Sequence, residues 1–208
     1  MSTKIKPAGE TAGHNEHING EAMPDKNTVQ IPKVITGLND VLKPLPHKII
    51  LARLLNHIGE VDFRELAGVE EGDKVPKRDM YVIAVDQVLQ CAQQQNWSLC
   101  KHNDFIYLYN GSFWRELDRP TMQTFLGEAA EKMGVKRSEA RFYDFRDKLM
   151  KQFLAVANLP KPEPPAGTVF VNLENGTFEI SPQGTRLRPP SEVDFLKYQL
   201  PFSYDPNA

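Results

Sequence analysis

Gly68-Val69-Glu70-Glu71-Gly72-Asp73-Lys74-Val75 is the stretch that comes nearest to a phosphate-binding loop. Such a loop needs four residues between its glycines, then Lys and a hydroxyl residue, so that backbone N–H groups wrap the phosphates and an oxygen reaches Mg²⁺. Here the spacer is Val69-Glu70-Glu71, its acids repel phosphate, and Val75 has no oxygen for a metal, so the segment reads as a surface loop. Paired carboxylates, which two-metal phosphoryl transfer uses, occur at Asp144 with Asp147 and at Glu128 with Glu131, each pair on one helix face. No strand-borne carboxylate or nucleotide motif accompanies them, and solvated helix charge accounts for both. Cys91 and Cys100, even with His102 beside them, lack the four-ligand spacing of structural zinc and read as half-buried thiols and a surface imidazole. There is no Gly-x-Ser-x-Gly elbow, and His47 and His57 flank an apolar segment as capping, packing or surface groups. By itself the chain reads as no enzyme, with no cofactor or metal site of its own.

Nucleic-acid contact is the remaining chemistry. Arg137, Arg141, Lys148 and Lys151 follow at spacings that place them near one side of a helix whose other side carries Phe142, Phe145, Leu149 and Phe153. That stripe could track a phosphate backbone. Between residues 113 and 151, however, Lys and Arg barely outnumber Asp and Glu, and Asp144 lies inside the stripe. The stripe reads as an ordinary solvated face or, at most, as a weak site for single-stranded or forked DNA.

The elements that must position these groups follow from composition and pattern. In 208 residues, 40% are apolar and 25% charged, which suffices for a core, while 16 Pro and 13 Gly call for linkers and tight turns. A net charge of −2 announces neither nucleic acid nor an anionic membrane, and no apolar run is long enough to span a bilayer. Without an apolar N-terminal segment the chain reads as cytoplasmic. Residues 1–30 hold no Leu, Phe, Tyr or Trp and read as a disordered tail.

Residues 31–159 read as a helix-rich module. Ile49, Ile50, Leu54 and Ile58 predict a helix over His47 to His57, and Gly59 to Val75 reads as loop or short turns. Asp79 is the expected cap of a helix running to about Asn96. Three short strands follow, Ser98 to His102, Phe105 to Tyr109 and Phe113 to Leu117, with two-residue turns at Asn103-Asp104 and Asn110-Gly111. That register sets Leu99, Leu108 and Phe113 on one face and joins Tyr107 with Trp114 on the other. A helix begins after Asp118, with Pro120 in its first turn, and stops at Gly134; Ser138 is the expected cap of a longer one carrying Phe142, Phe145, Leu149, Phe153 and Val156 to the core. Pro160, Pro162, Pro164 and Pro165 make 160–167 a stiff linker. In 168–208 a two-residue loop at Asn175-Gly176 pairs Leu173 with Phe178 and Val171 with Ile180, and a further turn follows at Pro182-Gln183-Gly184. The expected class is α+β: a helix-rich domain with a small antiparallel meander, a Pro-rich linker, and a separate C-terminal β-hairpin region.

Asn172, Asn175 and Gly176 in the hairpin Val171 to Ile180, then Gly184, Leu187-Arg188-Pro189, Ser191-Glu192, Tyr198-Gln199-Leu200-Pro201 and Tyr204-Asp205-Pro206, form an ordered set. The set resembles the segment just upstream of the ATPase in phage and plasmid primase-helicases, the superfamily 3 type shared with poxvirus primase-helicases. Phe105 to Gly111 and Trp114 look like the same family's N-terminal module. The resemblance implies a role in replicating mobile or viral DNA, between a primase or other N-terminal domain and a ring-forming helicase. It also implies that the ATPase, with its Gly-Lys-Ser/Thr loop, ATP and Mg²⁺, would start beyond Pro206, so that the chain reads as truncated before it. The expected partners are replication proteins or a helicase domain and not a membrane. The alternatives are a small DNA-binding replication or regulatory protein and an adaptor that recruits a helicase.

Overall fold

Helix α1, His47–His57, sinks Ile50 and Leu54 completely, four residues apart on one face. The structure, a computed structural model, describes residues 44–159 and 164–207. The readings for 1–30, for 31–43 and for the linker over 160–163 lie outside them. Helix α2, Phe63–Ala67, stands where loop or short turns were expected. Asp62 builds it by accepting the Arg64 and Glu65 amides at 2.9 and 3.0 Å, and Gly68, at φ 63°, closes it. Five residues are too few for a periodic signal. Helix α3, Lys77–Gln94, begins two residues before Asp79, so Asp79 is not its cap. Pro76, extended at ψ 137°, holds that position, and its carbonyl takes the Asp79 and Met80 amides.

Strands β1 (Ser98–His102), β2 (Phe105–Tyr109) and β3 (Trp114–Leu117) form an antiparallel meander, with Asn103 left-handed at φ 55° in the first turn. The second turn is longer than expected: Tyr109 pairs with Trp114, and Phe113 belongs to the loop. Asn110 widens it by accepting the Ser112 and Phe113 amides on its side chain at 3.0 and 2.9 Å. The register therefore moves by two residues, which keeps Leu99, Leu108, Tyr107 and Trp114 on their expected faces while Phe113 leaves the strand. Leu99 and Leu108 face the helices, and Cys100, Tyr107, Tyr109 and Trp114 form a second apolar cluster opposite.

Asp118 caps α4, Arg119–Lys132, accepting the Thr121 amide at 2.8 Å and its hydroxyl at 2.7 Å. The long helix expected from Ser138 is two helices, α5 (Arg137–Ala140) and α6 (Tyr143–Val156). Ser138 lies inside α5, and Phe142, extended at ψ 134°, restarts the chain. The break lets Ala140 bury completely and brings the segment onto α4 at Gly127, where an added Cβ would stand 2.9 Å from the Ala140 carbonyl and 2.7 Å from Arg146 Nε. Phe145, Leu149 and Phe153 reach the core with Phe125, Leu126 and Val88, each burial contributing about 1.5–3 kcal/mol. Phe142 and Val156 do not; they are exposed.

Strands β4 (Val169–Leu173), β5 (Gly176–Ser181) and β6 (Gly184–Arg188) form a second antiparallel sheet, one strand more than the expected hairpin. Its first loop is Glu174-Asn175, so Val171 faces Phe178 and Val169 faces Ile180, again two residues from the expected register and on the expected face. A 3₁₀ turn, Glu192–Asp194, leads into an extended tail whose Leu200 bridges Leu173 in parallel. Residues on both sides of the proline segment form one compact unit.

Candidate functional site

Asn172, with no exposed surface, points from β4 into the seam between the two sheets. Its side-chain Nδ2 donates to the Ser112 carbonyl at 3.0 Å and to the Tyr198 carbonyl at 2.9 Å, and its backbone carbonyl accepts the Leu200 amide at 2.9 Å. Gln199 donates to Ser112 Oγ at 2.7 Å and to the Leu173 carbonyl at 3.1 Å. Asn175 grips the tail further out: Nδ2 donates to the Tyr204 carbonyl at 2.9 Å while Oδ1 accepts the Tyr204 amide at 3.0 Å. Gly176, at φ 147°, lies against β6, where a Cβ would come within 2.6 Å of the Arg188 carbonyl. Asn172 and Asn175 thus share one task, fixing the tail to the sheet through backbone groups that would otherwise be buried or frayed, while Gly176 lets β6 lie close against β5.

The meander takes the other side of the seam. Trp114 donates its backbone amide to the Leu196 carbonyl and its indole N–H to the Glu192 carbonyl, both at 2.8 Å, and the Ser98 hydroxyl donates to the Glu192 carboxylate. Phe195, left-handed at φ 50°, inserts its ring 4.5 Å from His102, 5.0 Å from Tyr107 and 5.6 Å from Trp114. A non-glycine residue in that conformation costs about 1–3 kcal/mol and persists only where its surroundings hold it, here the aromatic cluster. Burial, with Glu192 nearby, pushes the Cys100 thiol up to about 12. Arg188 spans the tail from β6, bound to Asp194 by two bonds of 2.8 Å and to Glu179 by one of 2.8 Å, with its guanidinium 4.8 Å over the Phe170 ring. Arg188 and Arg186 together hold the Glu179 carboxyl below its ordinary range. Beside the seam lies a cleft of about 500 Å³ lined by Asn110, Ser112, Asn175, Leu187 and Pro190 among others.

The basic residues singled out by spacing fall on two helices rather than one. Arg137 and Arg141, on α5 and just after it, converge on Glu131 of α4 at 3.7 and 3.0 Å. Lys148 and Lys151 lie on α6, and Lys151 pairs with Asp147 at 2.8 Å, which also faces Arg119 at 3.6 Å. Asp147 is thereby held below its usual range, Lys151 first among the causes. Gly68 serves as the C-cap of α2, and Arg64 donates across the loop to the Glu70 carbonyl at 2.7 Å. Among the described residues no three His, Cys, Asp or Glu side chains gather as a metal site. No described helix is long and apolar enough to cross a membrane.

Sequence reasoning passed over Ser112 and Phe195, and it named Glu192 and Gln199 only as members of the ordered set, without the contacts they make. The one available signal was Trp114, whose indole N–H needs an acceptor once the ring is buried. No curated protein matches the chain. The model of the family described as D5 N terminal like matches residues 79–208, more than half of the chain, from α3 through the clamped tail. The meander, α4 to α6 and the second sheet with its asparagine clasps all lie inside that match, α1 and α2 precede it, and the chain belongs to this family, the N-terminal domain of D5-type primase-helicases.

Proposed function

We propose that the chain is the non-catalytic N-terminal module of a superfamily 3 primase-helicase from a phage or plasmid, acting in DNA replication in the cytoplasm. The observation that carries this reading is the two-point grip of Asn175 on Tyr204, backed by Asn172 on Tyr198 and Leu200. A flexible tether has no use for such clasps. A module that sets the direction from which an ATPase domain departs needs them, because each ordered residue removes freedom that an unclamped tail would keep. ATP and Mg²⁺ belong, on this reading, to the ATPase domain, and the partners are that domain, other replication proteins and weakly held single-stranded or forked DNA.

Two measurements test it. Titration of this chain with Mg-ATP in a calorimeter is expected to give no saturable binding; micromolar binding with turnover, lost on Lys74→Ala, overturns the non-catalytic reading. The native coding sequence beyond Ala208 is expected to contain a glycine-rich loop closing on Gly-Lys-Ser/Thr. A stop codon followed by an unrelated gene favours instead a small DNA-binding replication protein or an adaptor that recruits a helicase.

A further inference from the structure

Phe142 and Tyr143 sit at the joint between α5 and α6 with 53% and 76% of their surfaces in solvent. Their rings lie 4.7 Å apart at 56°. Neither is recruited by the core, which takes Phe145 instead, so the two rings stand together as an apolar patch open to solvent. The charge around them has a sign. Arg137 and Arg141 share a single carboxylate, Glu131, so two guanidiniums that are 70% and 49% exposed are matched by one negative group. From α3, Lys77 reaches Glu139 on α5 at 2.7 Å, and Lys136, before α5, and Lys148, on α6, are exposed. Asp144, in the first turn of α6, is the acid that remains to oppose them.

Resting on the replication reading above, we infer that Phe142 and Tyr143 form a stacking platform for the bases of single-stranded DNA, with Arg137 and Arg141 on its phosphates. Duplex DNA keeps its bases stacked on one another and offers this platform only its edge, whereas unpaired bases present a π-face that Phe and Tyr accept without regard to sequence. The guanidiniums supply the salt-dependent part of the affinity and the rings the part that depends on bases. An interface with another protein would use the same rings but would not need an excess of exposed arginine beside them.

Fluorescence anisotropy of a labelled oligo-dT against the full chain, across a salt series, separates the contributions. Phe142→Ala with Tyr143→Ala is expected to weaken binding roughly tenfold or more and to leave the salt slope in place. Arg137→Gln with Arg141→Gln is expected to flatten that slope by roughly 0.7 per lost contact. An abasic oligomer of equal length should bind the native chain as weakly as oligo-dT binds the double alanine variant, and Tyr143→Trp should retain affinity. Should the double variant melt early, Tyr143→Ala alone carries the comparison. Equal binding by the native and alanine chains, equal binding of duplex and single strand, or no binding at low salt overturns the inference, the last leaving the rings to a protein partner. None of these results touches the non-catalytic module assignment, which stands on the Mg-ATP titration and the coding sequence; an absence of binding at low salt removes DNA from its partners and nothing else.

Discussion

The Asn172 side chain donates to the Ser112 carbonyl across 60 residues of chain, joining the second sheet to the loop of the first at 3.0 Å. Because the same amide also holds Tyr198, one buried group ties three segments: meander, hairpin and tail.

Asn172→Ala removes that donor and leaves the Ser112 and Tyr198 carbonyls short of a partner, at a cost of about 1–3 kcal/mol. Thermal melting should show the loss, and chymotrypsin should cut sooner at Tyr198, Phe202 and Tyr204. A variant that melts and digests like the native chain would place the tail's anchorage elsewhere.

Gly176→Val meets two obstacles, a positive φ and the Arg188 carbonyl 2.6 Å from the new Cβ. The expected destabilisation is about 2 kcal/mol or more, with β6 displaced from β5. Chemical denaturation measures it; a loss below that of an ordinary surface substitution contradicts the close approach.

Stability should fall in two acid steps. Burial holds the His47 imidazole below its ordinary 6.5, while its Nε2 donates to the Phe113 carbonyl at 3.0 Å and its ring lies 4.6 Å from Phe113. The unfolded chain therefore binds the proton more readily, so the contribution is fully present above about pH 6.5 and is lost as pH falls toward the folded value. Asp118, lowered by its hydrogen bonds from Thr121, and Asp147 and Glu179, lowered by hydrogen bonds and neighbouring cations, add a second loss as pH drops below their unfolded values of 3.8 and 4.5. Melting temperatures measured from pH 8 to pH 3 should show both, and His47→Gln should remove the upper step alone.

The two thiols should report the seam differently. Cys100 is buried with its thiol raised to about 12, and Cys91 is half-buried and raised by burial. A maleimide at neutral pH is expected to label Cys91 slowly and Cys100 only after unfolding, because the thiolate is the reactive form. Labelling of Cys100 in native protein faster than global unfolding would mean that the tail opens away from the meander. Mass spectrometry of the labelled peptides distinguishes the sites.

Much of the local structure was written in short stretches of sequence. The apolar spacing of Ile50 and Leu54, the Asp118 cap with Pro120 behind it, the three meander strands and the positive φ of Gly176 each depend on residues within a turn or a hairpin of one another. The motif residues Asn172, Asn175 and Gly176 were legible as a set, but the work they perform was not. Their partners Ser112, Tyr198, Tyr204 and Arg188 are brought to them only by the fold. Both hairpin registers moved by two residues: Asn110 lengthens the first loop through its own side chain, and the second loop, still two residues, sits one position earlier, where its Asn175 holds the tail. Faces survived the shift since alternation repeats every second residue. The split between α5 and α6, which took Phe142 out of the core and divided the basic residues between two helices, came from the approach of Ala140 to Gly127. Periodicity and turn chemistry act between near neighbours and so determine elements and faces. Where a helix must break, and which buried polar group finds which carbonyl, is decided by contacts between segments distant in the chain, which exist only once the chain has folded.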